Sequence, residues 1–164
     1  PLKVEHLKEL RKITMVIEET LRLHPPAWFE NRNTLEDIEL GGEVLPKGTM
    51  VVFSRYSLQR HPDFWIDPEM FKPERFDPED AENAAGNRHA SVPFGGGPRV
   101  CIGRHFAMME IKVVVATVLR HFQVVVDSSD QHEMCARMTM APRHGLRVHL
   151  TRRKQKQQAD PGLS

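Results

Sequence analysis

Phe94-Gly95-Gly96-Gly97-Pro98-Arg99-Val100-Cys101-Ile102-Gly103 holds three consecutive glycines, a proline, an arginine and a cysteine. Glycine permits positive φ and a close approach of backbone to a ligand. The stretch therefore predicts irregular backbone rather than a helix or strand. Immediately after it, residues 103–122 predict a helix, with Phe106, Ile111, Val114, Val115, Val118, Leu119 and Phe122 as candidate core. Cys101 thus sits at the entrance to a helix, where free N–H groups and the positive dipole end favour a thiolate. Arg99 and Arg104 push the same way. A thiolate in a tight glycine loop, with Phe94 seven residues earlier, is a good ligand for a soft metal. Another reading stays open on these residues alone: Cys101 is a small core side chain. A Cys101/His105 zinc pair lacks two convincing further ligands. A phosphate-cradling loop is disfavoured, because Gly-x-x-x-x-Gly-Lys-Ser/Thr is absent.

Working back toward the start, residues 5–23 predict one amphipathic helix, with Leu7, Leu10, Ile13, Ile17 and Leu21 as its apolar stripe. Pro25-Pro26 ends it. Within it, Glu19 and Arg22 lie three apart and share a face. Residues 34–54 predict a small β region: a hairpin through Gly41-Gly42, a turn at Pro46-Lys47-Gly48, then a strand from Thr49 to Phe53. A short helix is expected near Tyr56–Arg60. Residues 62–80 hold four prolines, and seven acids against two bases leave them at −5. Interleaved Phe64, Trp65, Phe71 and Phe76 mark this as an ordered meander rather than a linker. Residues 81–91 read as a loop. Beyond the second helix, short β segments are expected at Gln123–Val126, Arg137–Met140 and Leu146–Leu150. Residues 152–158 carry four bases and no acid, so 152–164 is expected to be a polar, frayed tail.

Composition narrows the class. The chain has 164 residues, within the size of one domain, and 40% of them are hydrophobic. Lys and Arg number 23 against 22 Asp and Glu, a net charge of +1, so nucleic acid is not the expected partner. Two cysteines, Cys101 and Cys135, exclude a disulfide scaffold and a four-cysteine zinc site. No apolar run is long enough to span a bilayer. The chain opens Pro1-Leu2-Lys3-Val4 without an initiator Met, and we read it as the C-terminal part of something larger.

Glu19-Thr20-Leu21-Arg22, Pro73-Glu74-Arg75-Phe76 and the cysteine decapeptide, in that order, resemble the C-terminal part of a cytochrome P-450, a haem-thiolate monooxygenase. The resemblance covers residues 5–150. It implies an α+β fold, mainly α with small β regions, in which 1–151 is part of a single haem domain. It implies haem b as cofactor and Cys101 as the axial thiolate on iron, favouring O–O cleavage. Phe94 and Gly95 are then expected beside the sulfur, Arg99 and Arg32 at haem propionates, and Gly103, Phe106 and Ala107 against the porphyrin. Glu19, Arg22 and Arg75 are expected to form a buried ion triad. Pro26, Ala27, Trp28 and Phe29, with the turn at Arg137 and Met138, are expected to edge an apolar substrate pocket. Arg88, Arg104 and Lys112 belong to a basic face, five bases against one acid over residues 87–122, suited to an acidic electron donor. That donor, a ferredoxin or flavoprotein reductase, is expected to pass on electrons from NAD(P)H. The wording of 22–28 and 100–110 is similar to the fatty-acid and alkane hydroxylating branches, with a soluble, cytoplasmic bacterial enzyme preferred and a membrane anchor in a preceding segment left open. The family's oxygen-activating helix has no counterpart in these residues. Alternatives are a haem-thiolate peroxygenase or isomerase needing no electron donor, and a non-catalytic remnant in which Cys101 is structural.

Overall fold

The computed structural model describes residues 3–79, 90–127 and 133–154. Two long helices and four two-stranded antiparallel sheets make up the described chain.

The first helical region is two pieces rather than the single helix expected from its periodicity. A 3-10 turn over Val4–Lys8 is followed by helix α1, Arg11–Leu23. Leu10 between them leaves helical geometry at ψ 53°, and no side chain caps α1 there. The break lets Leu7 turn inward, where it is buried. Helix α1 stops where the His24 N–H reaches the Thr20 carbonyl and Pro25 follows. Its buried face is also not the expected stripe. Met15, Ile17 and Leu23 are buried, but so are Glu19 and Arg22, while Ile13 and Leu21 are only half-buried. Partners for the two charges come from the meander, and they set the rotation of the helix.

Strand β1 (Phe29–Asn33) pairs with β4 (Met50–Ser54), and β2 (Ile38–Leu40) pairs with β3 (Glu43–Leu45). The β2–β3 loop is Gly41-Gly42, both at positive φ, as a two-residue hairpin turn of the primed type requires. β1 was not expected; Phe-Glu-Asn-Arg-Asn lacks strand composition, and its partner β4 supplies the pairing. Helix α2 (Arg55–Leu58) begins at Ser54, whose hydroxyl accepts from the Ser57 N–H at 3.1 Å.

The meander wraps α1. Trp65 is 1% exposed, with the Arg22 guanidinium 4.9 Å above its ring and Phe76 at 6.1 Å. Of the four aromatics expected to pin this segment, Phe64 and Phe71 instead lie exposed. Pro73–Phe76 forms a 3-10 turn that carries Arg75 inward.

Helix α3 (Arg104–His121) has no fully buried residue. Phe106, Val114 and Leu119, expected as core, are exposed, and Ile111, Val115, Val118 and Phe122 are half-buried. One side of α3 lies on α1 and the first 3-10 turn. Beside it, Leu7, Phe106, Met109, Val113 and Val114 line an apolar groove of ≈ 360 Å³. β5 (Phe122–Val126) pairs with β8 (Val148–Arg152), and β6 (Met134–Ala136) with β7 (Met140–Pro142). The expected strand at Arg137–Met140 is therefore mostly the turn between β6 and β7. The expected tail also starts too early: Arg152 belongs to β8, and the Arg153 N–H reaches the His121 carbonyl at 2.8 Å. Residues 155–164 lie outside the described residues.

His24, just past α1 and partly open to solvent, has an imidazole pKa below the usual 6.5, chiefly through partial desolvation, with the Arg60 and Arg22 charges adding to it and Glu69 opposing. The unfolded chain thus takes up this proton more readily than the folded one. The stabilisation is complete above the unfolded pKa and is lost as pH falls toward the lower native value. Urea midpoints should fall between about pH 7 and pH 5, and His24→Gln should flatten that slope; an unchanged slope in the variant would contradict this assignment.

Candidate functional site

The cysteine loop is anchored before it reaches the cysteine. Ala90 is buried, and the Val92 N–H donates to Oε1 of Gln59 at 3.0 Å. Gly95, at φ +76°, donates its N–H to the Val92 carbonyl at 2.9 Å. Gly97–Arg99 then form a 3-10 turn with Pro98 in its first residues, where a missing N–H costs nothing. The Cys101 N–H donates back to the Phe94 carbonyl at 2.9 Å, closing the loop on itself. Its carbonyl accepts from Arg104 at 3.2 Å, and Gly103 stands as the cap of α3, with the Ala107 N–H on its carbonyl at 2.9 Å.

The result is a cysteine held by its backbone with an exposed side chain. Among its exposed neighbours in the chain, Val100, Ile102 and Phe106 are apolar, with Arg99, Arg104 and His105 exposed beside them. Phe94 is half-buried within the loop. Arg99 is exposed and makes no side-chain hydrogen bond or ion pair among the described residues. A soft, exposed thiol, exposed apolar side chains beside it and a guanidinium without a partner among the described residues fit a flat, apolar cofactor with carboxylate arms and a metal at its centre. They do not fit a structural cysteine in a core. The zinc reading also loses support, since no three His, Cys, Asp or Glu side chains converge among the described residues.

Behind the loop lies a buried charged network. Nε and Nη2 of Arg22 donate to the two carboxylate oxygens of Glu19 at 2.7 and 2.8 Å, and both side chains are fully buried. Nη1 of Arg22 donates to the carbonyls of Gln59 and Pro68, and Nη2 also to that of Met70. Arg75 stands 3.4 Å from Glu19 and donates to the Asp67 carbonyl at 2.6 Å. The Lys72 N–H completes the carboxylate at 2.8 Å. Gln59, unmarked by any sequence signal, is the hub. Its amide donates to the Leu21 and Arg22 carbonyls, while its oxygen receives the Val92 N–H. Through Gln59 the network is tied directly to the cysteine loop.

Two further groups come together. The Trp28 indole N–H donates to the Arg137 carbonyl at 2.8 Å, and the Met140 N–H to the Pro26 carbonyl at 2.8 Å. Pro26–Phe29 and the Arg137–Met138 turn therefore share one edge, with the Trp28 and Phe29 rings 4.5 Å apart and Met138 exposed. Ala27 gives its carbonyl to Arg55. Arg32 is not joined to the cysteine loop; its guanidinium goes to Glu30 and to the Asn31 carbonyl. The basic face is also less bare than its sequence count. Arg104 and Lys112 act on Glu18 of α1, a carboxylate whose pKa is raised, mainly by burial, against their opposing pull. Arg88 lies outside the described residues.

The sequence profile of the family described as Cytochrome P450 matches residues 1–150. Cytochrome P450 4V2 of Mus musculus is 40% identical over 156 residues, which cover 93% of this chain and 29% of that protein. The structure of a retinoic acid bound cyanobacterial CYP120A1 superposes with a TM-score of 0.86 at 34% identity, over 93% of this chain and 35% of that one. The heme domain of a cytochrome P450DA mutant gives 0.84 at 26% identity, over 94% and 34%. The backbone likeness extends over nearly the whole of this chain in both structures. The chain belongs to the cytochrome P450 family. It spans about a third or less of the length of these relatives. A mouse protein and a cyanobacterial one both match, so the bacterial branch is not singled out. Among the described residues no helix is long and apolar enough to cross a membrane.

Proposed function

We propose that this chain forms the cysteine-ligand side of a haem-thiolate monooxygenase. The carrying observation is Cys101, presented by its backbone alone and exposed at the head of α3. When bound, haem supplies the capacity to activate O2 and insert one oxygen atom into a substrate. The protein's part is to hold it. Cys101 is the ligand, and Phe94, Gly95, Gly103, Phe106 and Ala107 shape the surface around it. Arg99, without a side-chain partner among the described residues, offers a fork to a propionate carboxylate, where a guanidinium binds in bidentate fashion; Arg32 is a second candidate, presently committed to Glu30. Glu19, Arg22 and Arg75 keep the loop's foundation fixed.

Pro26–Phe29 and the Arg137–Met138 turn form the substrate edge of this reading, and the exposed Phe29 and Met138 side chains suit an apolar compound such as a fatty acid or alkane. Arg104 and Lys112 sit on the side where an acidic electron donor docks. With a reductase or ferredoxin, NAD(P)H and ¹⁸O₂, the protein containing this chain is expected to convert a medium-chain fatty acid to a hydroxylated product carrying one ¹⁸O. Product formed from hydrogen peroxide alone, with no label from O2, would make it a peroxygenase instead.

A further inference from the structure

Glu30 of β1 meets two arginines. One carboxylate oxygen pairs with Nη2 of Arg32 and the other with Nη2 of Arg55, whose Nη1 donates to the Ala27 carbonyl at 3.0 Å. Arg55 is 12% exposed and Glu30 24%, so water screens this pair only in part. The pair lies against the cysteine loop. A methyl group added to Gly95 would stand 3.2 Å from Nη2 of Arg55 and 3.6 Å from Oε2 of Glu30. Gly95 follows Phe94, whose carbonyl receives the Cys101 N–H.

We propose that Glu30 and Arg55 act on the Cys101 ligand through their charges: their ion pair lies against Gly95, next to Phe94, whose carbonyl holds the Cys101 N–H. The inference rests on the haem-thiolate reading. The Arg55 guanidinium stands beside Gly95 with the Glu30 carboxylate to offset it. Removing the carboxylate leaves excess positive charge beside the loop, which favours the reduced state of a bound haem iron, in which the metal carries one charge less. Removing Arg55 does the opposite.

The test is a redox titration of the haem-loaded protein that contains this chain, with the absorption of its reduced carbonyl complex recorded alongside. Glu30→Gln should raise the midpoint potential, and Arg55→Gln should lower it. The double variant should return near the wild-type value, and Arg55→Lys, which keeps the charge, should stay close to it. Simple loosening of the loop would move both single variants the same way. Shifts of like sign, or none, in a protein whose carbonyl spectrum depends on Cys101 would overturn this electrostatic role alone. A wild-type carbonyl spectrum indifferent to Cys101→Ala would overturn the haem-thiolate reading, and this role with it.

Discussion

Replacing Arg22 by alanine is expected to lower folding stability by about 3–5 kcal/mol, the usual cost of breaking a buried ion pair from one side. The guanidinium is fully buried and serves Glu19 and three backbone carbonyls at once. Without it a carboxylate stays in the interior with only Arg75 and the Lys72 N–H against it. The Trp65 ring loses its cationic neighbour as well. Total stabilities of small domains are about 5–15 kcal/mol, so the loss removes much of the margin. The urea midpoint should fall at constant m-value. Arg22→Lys should recover only part of the loss, since an ammonium cannot reproduce the two-pronged contact with Glu19. Arg11→Ala is the surface control. Arg11 pairs with Asp77 and Glu79 near the surface, where solvent weakens such pairs, and its removal should move the midpoint far less. Equal effects from the two arginines would contradict the account of the network.

Cys101→Ala is expected to have the reverse signature: near-complete loss of thiolate ligation in the haem-loaded protein, with little change in the unfolding midpoint. The thiol is exposed. The loop closes through the Cys101 backbone N–H, which alanine retains. The absorption of the reduced carbonyl complex reports the ligand, and thermal unfolding reports the fold. A variant that keeps the thiolate-type spectrum would show that another residue binds iron. A variant that unfolds would make Cys101 structural.

What could be read in the sequence follows a physical division. Local signals came through. Gly41-Gly42 needs positive φ at two adjacent positions, and the β2–β3 hairpin formed there. Pro25 stopped α1 where its chemistry says it must. The glycine loop and the helix after it lie where their residues put them. Long-range partners were not legible. Gln59 gives no motif, because its partners at Leu21, Arg22 and Val92 are distant in sequence. β1 has no strand composition and exists by pairing with β4. Glu30 and Arg55 meet only because β1 and α2 are brought together. Periodicity misjudged burial in both long helices. On α1 the buried face is chosen by charge partners in the meander. On α3 the apolar residues Phe106, Val114 and Leu119 have no covering element among the described residues, and the chain spans 29% of its mouse relative.

The most direct test of the central claim is X-ray absorption at the iron edge of the haem-loaded protein, compared with its Cys101→Ser variant. The account predicts one sulfur neighbour on iron in the wild type, replaced by oxygen or lost in the variant. A first shell of nitrogen and oxygen alone in the wild type, or a sulfur signal that survives the substitution, would contradict it.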